Sequence, residues 1–295
     1  MNPTQVLMCL TVFLVSAVSA WAGPERLTDA RVMFTEVKDT RTTGQFFGKC
    51  EVELKIMGRA VSKAMGVRDV KVTYAVDDTG VILVNKEEDN TPSFFRPNDG
   101  GSSLTHSVSL KNPARSAKYI QTLKGTIFLF SPTPENGGMV DAGTFMETPG
   151  KSLGEDKLKE HGVTVQYITP EILEQKKAQE KKKARAQMDK EMEKLGEEMG
   201  QAMLQMFEGM FGGMMGDDKN SIRLWVKDPN KRVVDIQFVD ARGEVLNSSS
   251  RSNMGELRQV GFKQLPPPTT RLRVLLATDQ AVHPVKFSLN EIPLP

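Results

Sequence analysis

The chain has 295 residues, 39% of them hydrophobic and 26% charged, a balance that excludes disorder from end to end. Lys and Arg number 39 against 37 Asp and Glu, so the formal charge is only +2, and capture of nucleic acid or anionic lipid by the whole molecule is not expected. Aromatic residues make up 6% of the chain, mostly Phe, which suits small cores of Val, Ile, Leu and Phe.

Residues 1–22 contain no charged side chain, and the apolar run Val6 to Ala20 ends in Ala20-Trp21-Ala22, a small-x-small cleavage pattern. This reads as a signal peptide, with a periplasmic or extracellular destination. Its 15 residues fall short of the ~20 that a membrane-spanning helix needs. Cys9 follows Met8, a poor context for a lipid anchor. Cleavage after Ala22 leaves Cys50 alone, so no intramolecular disulfide can form. Cys50 opens an alternating run and is expected as a buried strand thiol.

Beyond Gly23 the chain is a series of short alternating runs: Arg31 to Val37, Glu51 to Met57, Val70 to Val76, Val81 to Val84, Leu104 to Leu110 and Thr126 to Phe130. Leu104, His106, Val108 and Leu110 share one face, and Thr105, Ser107, Ser109 and Lys111 the other. A second set follows, comprising Val163 to Ile168, Ile222 to Val226, Val233 to Val239, Gln259 to Lys263, Leu272 to Ala277 and Val285 to Leu289. The expected fold is mainly β, two immunoglobulin-like antiparallel β-sandwich domains over 23–138 and 139–295.

Val76-Asp77-Asp78-Thr79-Gly80-Val81-Ile82-Leu83 matches Val239-Asp240-Ala241-Arg242-Gly243-Glu244-Val245-Leu246 at Val, Asp, Gly and Leu. Asp serves the turn backbone as an acceptor and Gly supplies positive φ, so the shared letters have a structural cause. Strand order upstream agrees as well, which indicates an internal duplication. The gap before the second strand of each copy differs, 13 residues (Lys38 to Cys50) against 52 (Thr169 to Asn220). Residues 169–218 therefore read as a helical insertion in the second domain.

Thr169-Pro170-Glu171 starts that helix with a hydroxyl cap, a first-turn Pro and an acid at the positive dipole end. From Glu171 to Lys194 stand 6 acids and 8 bases, a solvated face. Met188, Met192, Leu195, Met199, Ala202 and Met206 then form a heptad seam of coiled-coil type. Met203, Phe207, Met210 and Phe211 extend the apolar surface, and half of the 16 Met lie between Met188 and Met215. Packing against a partner helix or the chain's own sandwiches is the first reading. Contact with a membrane surface is the second. Soft-metal binding by Met203, Met206, Met210, Met214 and Met215 is the third, without a His or Cys in the segment to support it. A straight helix through this segment could not return to Ser221, so a hairpin reversing near Leu195 to Gly200 is expected.

Chemistry is sparse elsewhere. Gly150-Lys151-Ser152-Leu153-Gly154 has the letters of a nucleophile elbow but follows Thr148-Pro149 in place of a hydrophobic strand. The same Gly-Lys-Ser lacks the leading Gly of a phosphate loop, since Phe145 stands there. His106, His161 and His283 are isolated, and Asp77, Asp78 and Asp240 read as turn caps rather than calcium ligands. Trp225 is expected beneath the inserted helix.

The strand patterns, the Val-Asp-x-x-Gly hairpins and the turn Lys111-Asn112-Pro113-Ala114-Arg115-Ser116-Ala117-Lys118 leading into Leu123-Lys124-Gly125-Thr126-Ile127 resemble exported bacterial proteins with tandem immunoglobulin-like sandwiches. The resemblance covers most of 30–130 and 220–295, implies fold and compartment, and carries no catalytic residue, cofactor or metal ligand. The expected function is non-enzymatic binding or assembly, with a protein partner or a second copy held by Met188, Met192, Leu195, Met199, Met203, Met206, Phe207, Met210 and Phe211. The alternatives are a hydrolytic or carbohydrate-acting enzyme with a loop-built site and, third, a periplasmic Cu(I)-binding protein. Intact-mass analysis of exported protein should give a chain that begins at Gly23; a mass that includes Met1 contradicts the leader.

Overall fold

Period-2 alternation becomes strand where one face finds a core. In Ser103–Leu110 the side chains of Leu104, Val108 and Leu110 are buried while Thr105 is exposed. The computed structural model describes residues 30–41, 48–85, 94, 103–176, 178, 179 and 220–295, and among them the chain is mainly β, arranged in antiparallel sheets.

In chain order the first strands are β1 (Arg31–Thr40), β2 (Lys49–Met57), β3 (Gly66–Asp77), β4 (Ser103–Leu110) and β5 (Tyr119–Phe130), with helix α1 (Arg59–Lys63) between β2 and β3. Then follow β6 (Met139–Thr144), β7 (Ser152–Leu153), helix α2 (Glu155–Glu160) and β8 (Thr164–Ile168). The remainder comprises β9 (Ser221–Lys227), β10 (Val233–Val239), β11 (Ser250–Met254), β12 (Leu257–Gly261), β13 (Arg271–Leu276) and β14 (Val282–Pro293). Residues 170–176 are helical.

Among the described residues four sheets result, ordered β1-β2-β4, β3-β5-β14, β6-β13-β10 and β7-β8-β9-β12-β11. Cys50, Val52, Leu54 and Ile56 of β2 meet Ile120, Leu123, Ile127 and Leu129 of β5 in the first core. In the second, Ile222, Leu224 and Val226 of β9 meet Leu272, Val274 and Leu276 of β13. The pairings repeat in kind: β1-β2-β4 corresponds to β8-β9-β12, and β3-β5 to β10-β13.

Sheet edges depart from the sequence reading. Val285 to Leu289 was expected with the second set of strands, yet β14 pairs along the whole length of β5, from Val282 opposite Phe130 to Pro293 opposite Tyr119. The equivalent place beside β13 is taken by β6, with Val140 opposite Val274. The strand that follows β5 thus completes the second unit, and the strand that follows β13 completes the first. The exchange is tightly fitted, since a Cβ on Gly125 would lie 2.7 Å from the ring of its cross-strand partner Phe287. Val81 to Val84 is not a continuous strand either; beside the bridge Val76–Ile82, the Leu83 amide donates to the Ala75 carbonyl at 2.9 Å and the Leu83 side chain is buried in the core.

The paired hairpins are built alike. The Asp77 Oδ1 accepts from the Thr79 amide at 2.9 Å, the Thr79 hydroxyl at 2.7 Å and the Val81 amide at 2.9 Å. Asp240 Oδ1 accepts from the Arg242 amide at 2.8 Å and the Glu244 amide at 2.9 Å. Gly80 and Gly243 stand at φ of 90° and 85°, where a side chain would be strained. Asp77 adds two bonds without a counterpart, the one from the Thr79 hydroxyl and one from the Ala114 amide to Oδ2 at 2.8 Å. Burial pushes the Asp77 carboxyl up, but the bonds from Ala114, Thr79 and Val81 more than offset this and hold it below the ordinary 3.8.

Asp77→Ala should therefore destabilise the protein by about 1–3 kcal/mol, and Asp240→Ala by less, in urea unfolding. Because the folded-state value of Asp77 is depressed, its contribution is complete above about 3.8 and is lost as pH falls through the folded-state value. Unfolding midpoints across an acid series check this, and the Asp77→Ala variant should show a shallower decline than the wild type.

Candidate functional site

The predicted partner-binding residues Met188, Met192, Leu195, Met199, Met203, Met206, Phe207, Met210 and Phe211 lie outside the described residues. The root of their segment is within them. The Thr169 carbonyl accepts from the Leu173 amide at 2.9 Å, and its hydroxyl accepts from the Ile172 amide at 3.4 Å. The Glu171 carboxyl is held below its ordinary value by its bond with the Thr169 side chain. This is the cap that Thr169-Pro170-Glu171 encodes.

Sheet contact then fixes the helix. Leu173, 5% exposed, packs with Ile168 and Leu257, with Ile172 and Trp225 against them. Lys176 Nζ stands 4.7 Å from the centre of the Trp225 ring, a cation–π distance. Trp225 lies beneath the helix start, as expected. Strands β8 and β9 are neighbours, with Ile168 opposite Arg223, so the chain leaves and returns on adjacent strands of one sheet.

A second feature was not foreseen. Where the second unit meets β3 of the first, a cleft of about 810 Å3 opens between the β9–β10 turn, the β11–β12 hairpin, the start of β8, Arg68 and Phe94. The turn is shaped by Asp228, whose Oδ1 accepts from the Arg232 amide at 2.9 Å and Oδ2 from the Val233 amide at 2.7 Å. Lys231 closes it at φ 52°, a left-handed conformation that costs a non-glycine residue about 1 kcal/mol or more. The Lys231 carbonyl then accepts from Arg68 Nη2 at 3.1 Å, a bond that joins the two units.

Two guanidiniums dominate the cleft. Arg68 is 8% exposed. Arg258 precedes Val260 by two residues on β12, and since Val260 is a core residue, Arg258 lies on the inward side of the strand. Burial lowers both guanidiniums from their ordinary value, with partial compensation for Arg68 from Asp69 and Asp228 and for Arg258 from Asp228 and Asp235. Asp235 is engaged by Arg251 at 2.5 Å, and among the described residues no hydrogen bond or ion pair engages the Arg258 side chain. Lys227 and Lys231 add positive charge. The arrangement supplies donors to an oxyanion.

The remaining candidates take structural places. Cys50 is fully buried, and burial pushes its thiol up to about 11, which leaves it protonated and inert. The His106 imidazole is lowered by burial, Asp69 opposing. His161 Nδ1 stands 3.4 Å from Arg232 Nη1. Gly150-Lys151-Ser152-Leu153-Gly154 passes through the short edge strand β7 into α2. Among the described residues no three of His, Cys, Asp and Glu converge as metal ligands.

The cleft was illegible in sequence because its cations come from β3, the β9–β10 turn and β12. One signal was there: Arg258 falls on the apolar phase of a strand. Comparison with protein-family models, curated proteins and solved structures gives no match to this chain.

Proposed function

We propose that the protein is an exported, non-enzymatic binding or assembly protein. Two immunoglobulin-like antiparallel sandwiches serve as its scaffold, and the helical, Met-rich segment 169–218 carries the partner contact. The observation that supports this reading is the docked root: Leu173 and Ile172 clamp the helix start onto Trp225 and Leu257, and the flanking strands pair at Ile168 and Arg223. A segment so rooted is an appendage of one sheet.

Its apolar seam then calls for cover. Met188, Met192, Leu195, Met199 and Met206 recur at heptad spacing, and sheltering each from water stabilises by roughly 1.5–3 kcal/mol. A second copy or a partner helix of the same pattern supplies that cover.

Sedimentation of the mature chain should reveal self-association, which Met199→Glu with Met206→Glu abolishes. Trp225 reports on the scaffold, since the only other Trp is Trp21 in the leader; its emission should be unchanged in the Met variants and red-shifted in Leu173→Asp. A wild type that sediments as a monomer, with the Met pair without effect, refutes the proposal.

A further inference from the structure

We infer that the cleft between the β9–β10 turn and the β11–β12 hairpin binds a small organic oxyanion, a molecule that presents a phosphate or carboxylate to Arg258 and Arg68 from an apolar body. The site is separate from the Met-rich segment and rests on different observations.

Charge accounting comes first. Four cations, Arg68, Lys227, Lys231 and Arg258, line the cleft with two acids, Asp228 and Glu256. Asp228 spends both oxygens on the amides of Arg232 and Val233, and the nearby Asp235 is paired with Arg251. Arg258 is thus held inward on β12, and among the described residues no hydrogen-bond acceptor meets it. The guanidinium is half-buried, and its nitrogens are not among the buried atoms left without a partner, so they open to the cleft. An oxyanion there would engage them, because the planar fork of Arg matches the paired oxygens of carboxylate or phosphate.

Backbone strain points the same way. Lys231 is held at φ 52°, and that conformation turns its carbonyl to Arg68 at 3.1 Å. Asn or Gly would adopt it at lower cost. Lys231, so held, lines the cleft wall. The bond that Arg68 donates to the Lys231 carbonyl leaves its guanidinium with further donors.

Size and lining select the class of ligand. About 810 Å3 lies within the range of small-molecule sites and well beyond a bare ion. Phe94, Val226 and Val233 give the cleft apolar wall beside its cations. The occupant is therefore an oxyanion attached to an apolar group.

The test uses the full mature chain with phenyl phosphate and benzoate as probes, benzamide as the uncharged control and inorganic phosphate as the bare ion. Calorimetric titration and thermal melting should show saturable binding of phenyl phosphate, benzoate or both, with a rise in Tm, and no effect of benzamide; which of the two binds tells phosphate from carboxylate. Inorganic phosphate should bind at least tenfold more weakly than the better organic probe. Arg258→Met should leave the ligand-free Tm equal or higher and weaken binding tenfold or more. Lys231→Gly, which keeps the carbonyl and relieves the positive φ, should weaken binding severalfold at unchanged or higher Tm. Absence of binding at millimolar probe, equal binding by Arg258→Met, or inorganic phosphate binding as tightly as the organic anions each overturns the inference. A lower ligand-free Tm in Arg258→Met assigns that residue to the fold and overturns it as well.

Discussion

A strand whose outer amides and carbonyls lack a partner leaves them open to water or to another chain, and without the exchange β5 and β13 would both be such edges. Each is covered by the strand that follows the other. β14 lies against β5 and delivers Val285, Phe287 and Ile292 to the first core, while β6 lies against β13 and delivers Val140 to the second. The two links that make the exchange run side by side, tied by Ser131 to the Ala281 carbonyl at 2.8 Å, Leu276 to the Gly138 carbonyl at 2.8 Å and Thr278 to the Asn136 carbonyl at 2.9 Å. Phe130, Leu275 and Ala281 form a third core at this crossing.

That crossing fixes the two units against one another, and the cleft follows from it. Arg68 stands on the first unit, and Lys231 and Arg258 on the second; they share a wall because the crossing brings the two units together. The left-handed Lys231 is tolerable here because the cores on either side bury enough Val, Leu, Ile and Phe to hold the strain in place.

Sequence periodicity disclosed the strands with a buried face, such as β2, β4 and β10, and the Asp–Gly hairpins, whose chemistry is local. It missed β6 and β11 for physical reasons. Met139–Thr144 interrupts its alternation with Asp141 and Gly143, and Ser250–Met254 is an edge strand of polar residues with no core face to write a pattern. Partner choice was equally hidden, because the alternation of Val285 and Phe287 fits either β5 or β13. The cleft required three elements to meet in space. The helix start at Thr169 was legible, since a cap and its first turn lie within a few residues of each other.

The exchange also sets an order of assembly as the chain is made. β5 ends at Phe130, but the strand that closes its edge begins at Val282, so the first unit waits, nearly complete, while the whole second unit emerges from the ribosome. β6 waits likewise for β13, which begins at Arg271. The first unit cannot close before β14 is made nor the second before β13, so both close almost at once. Until then the unpaired edge of β5 is open to any passing strand, and pairing across so long a separation is slow. The fold has traded early, stepwise closure for a junction that neither half can form alone.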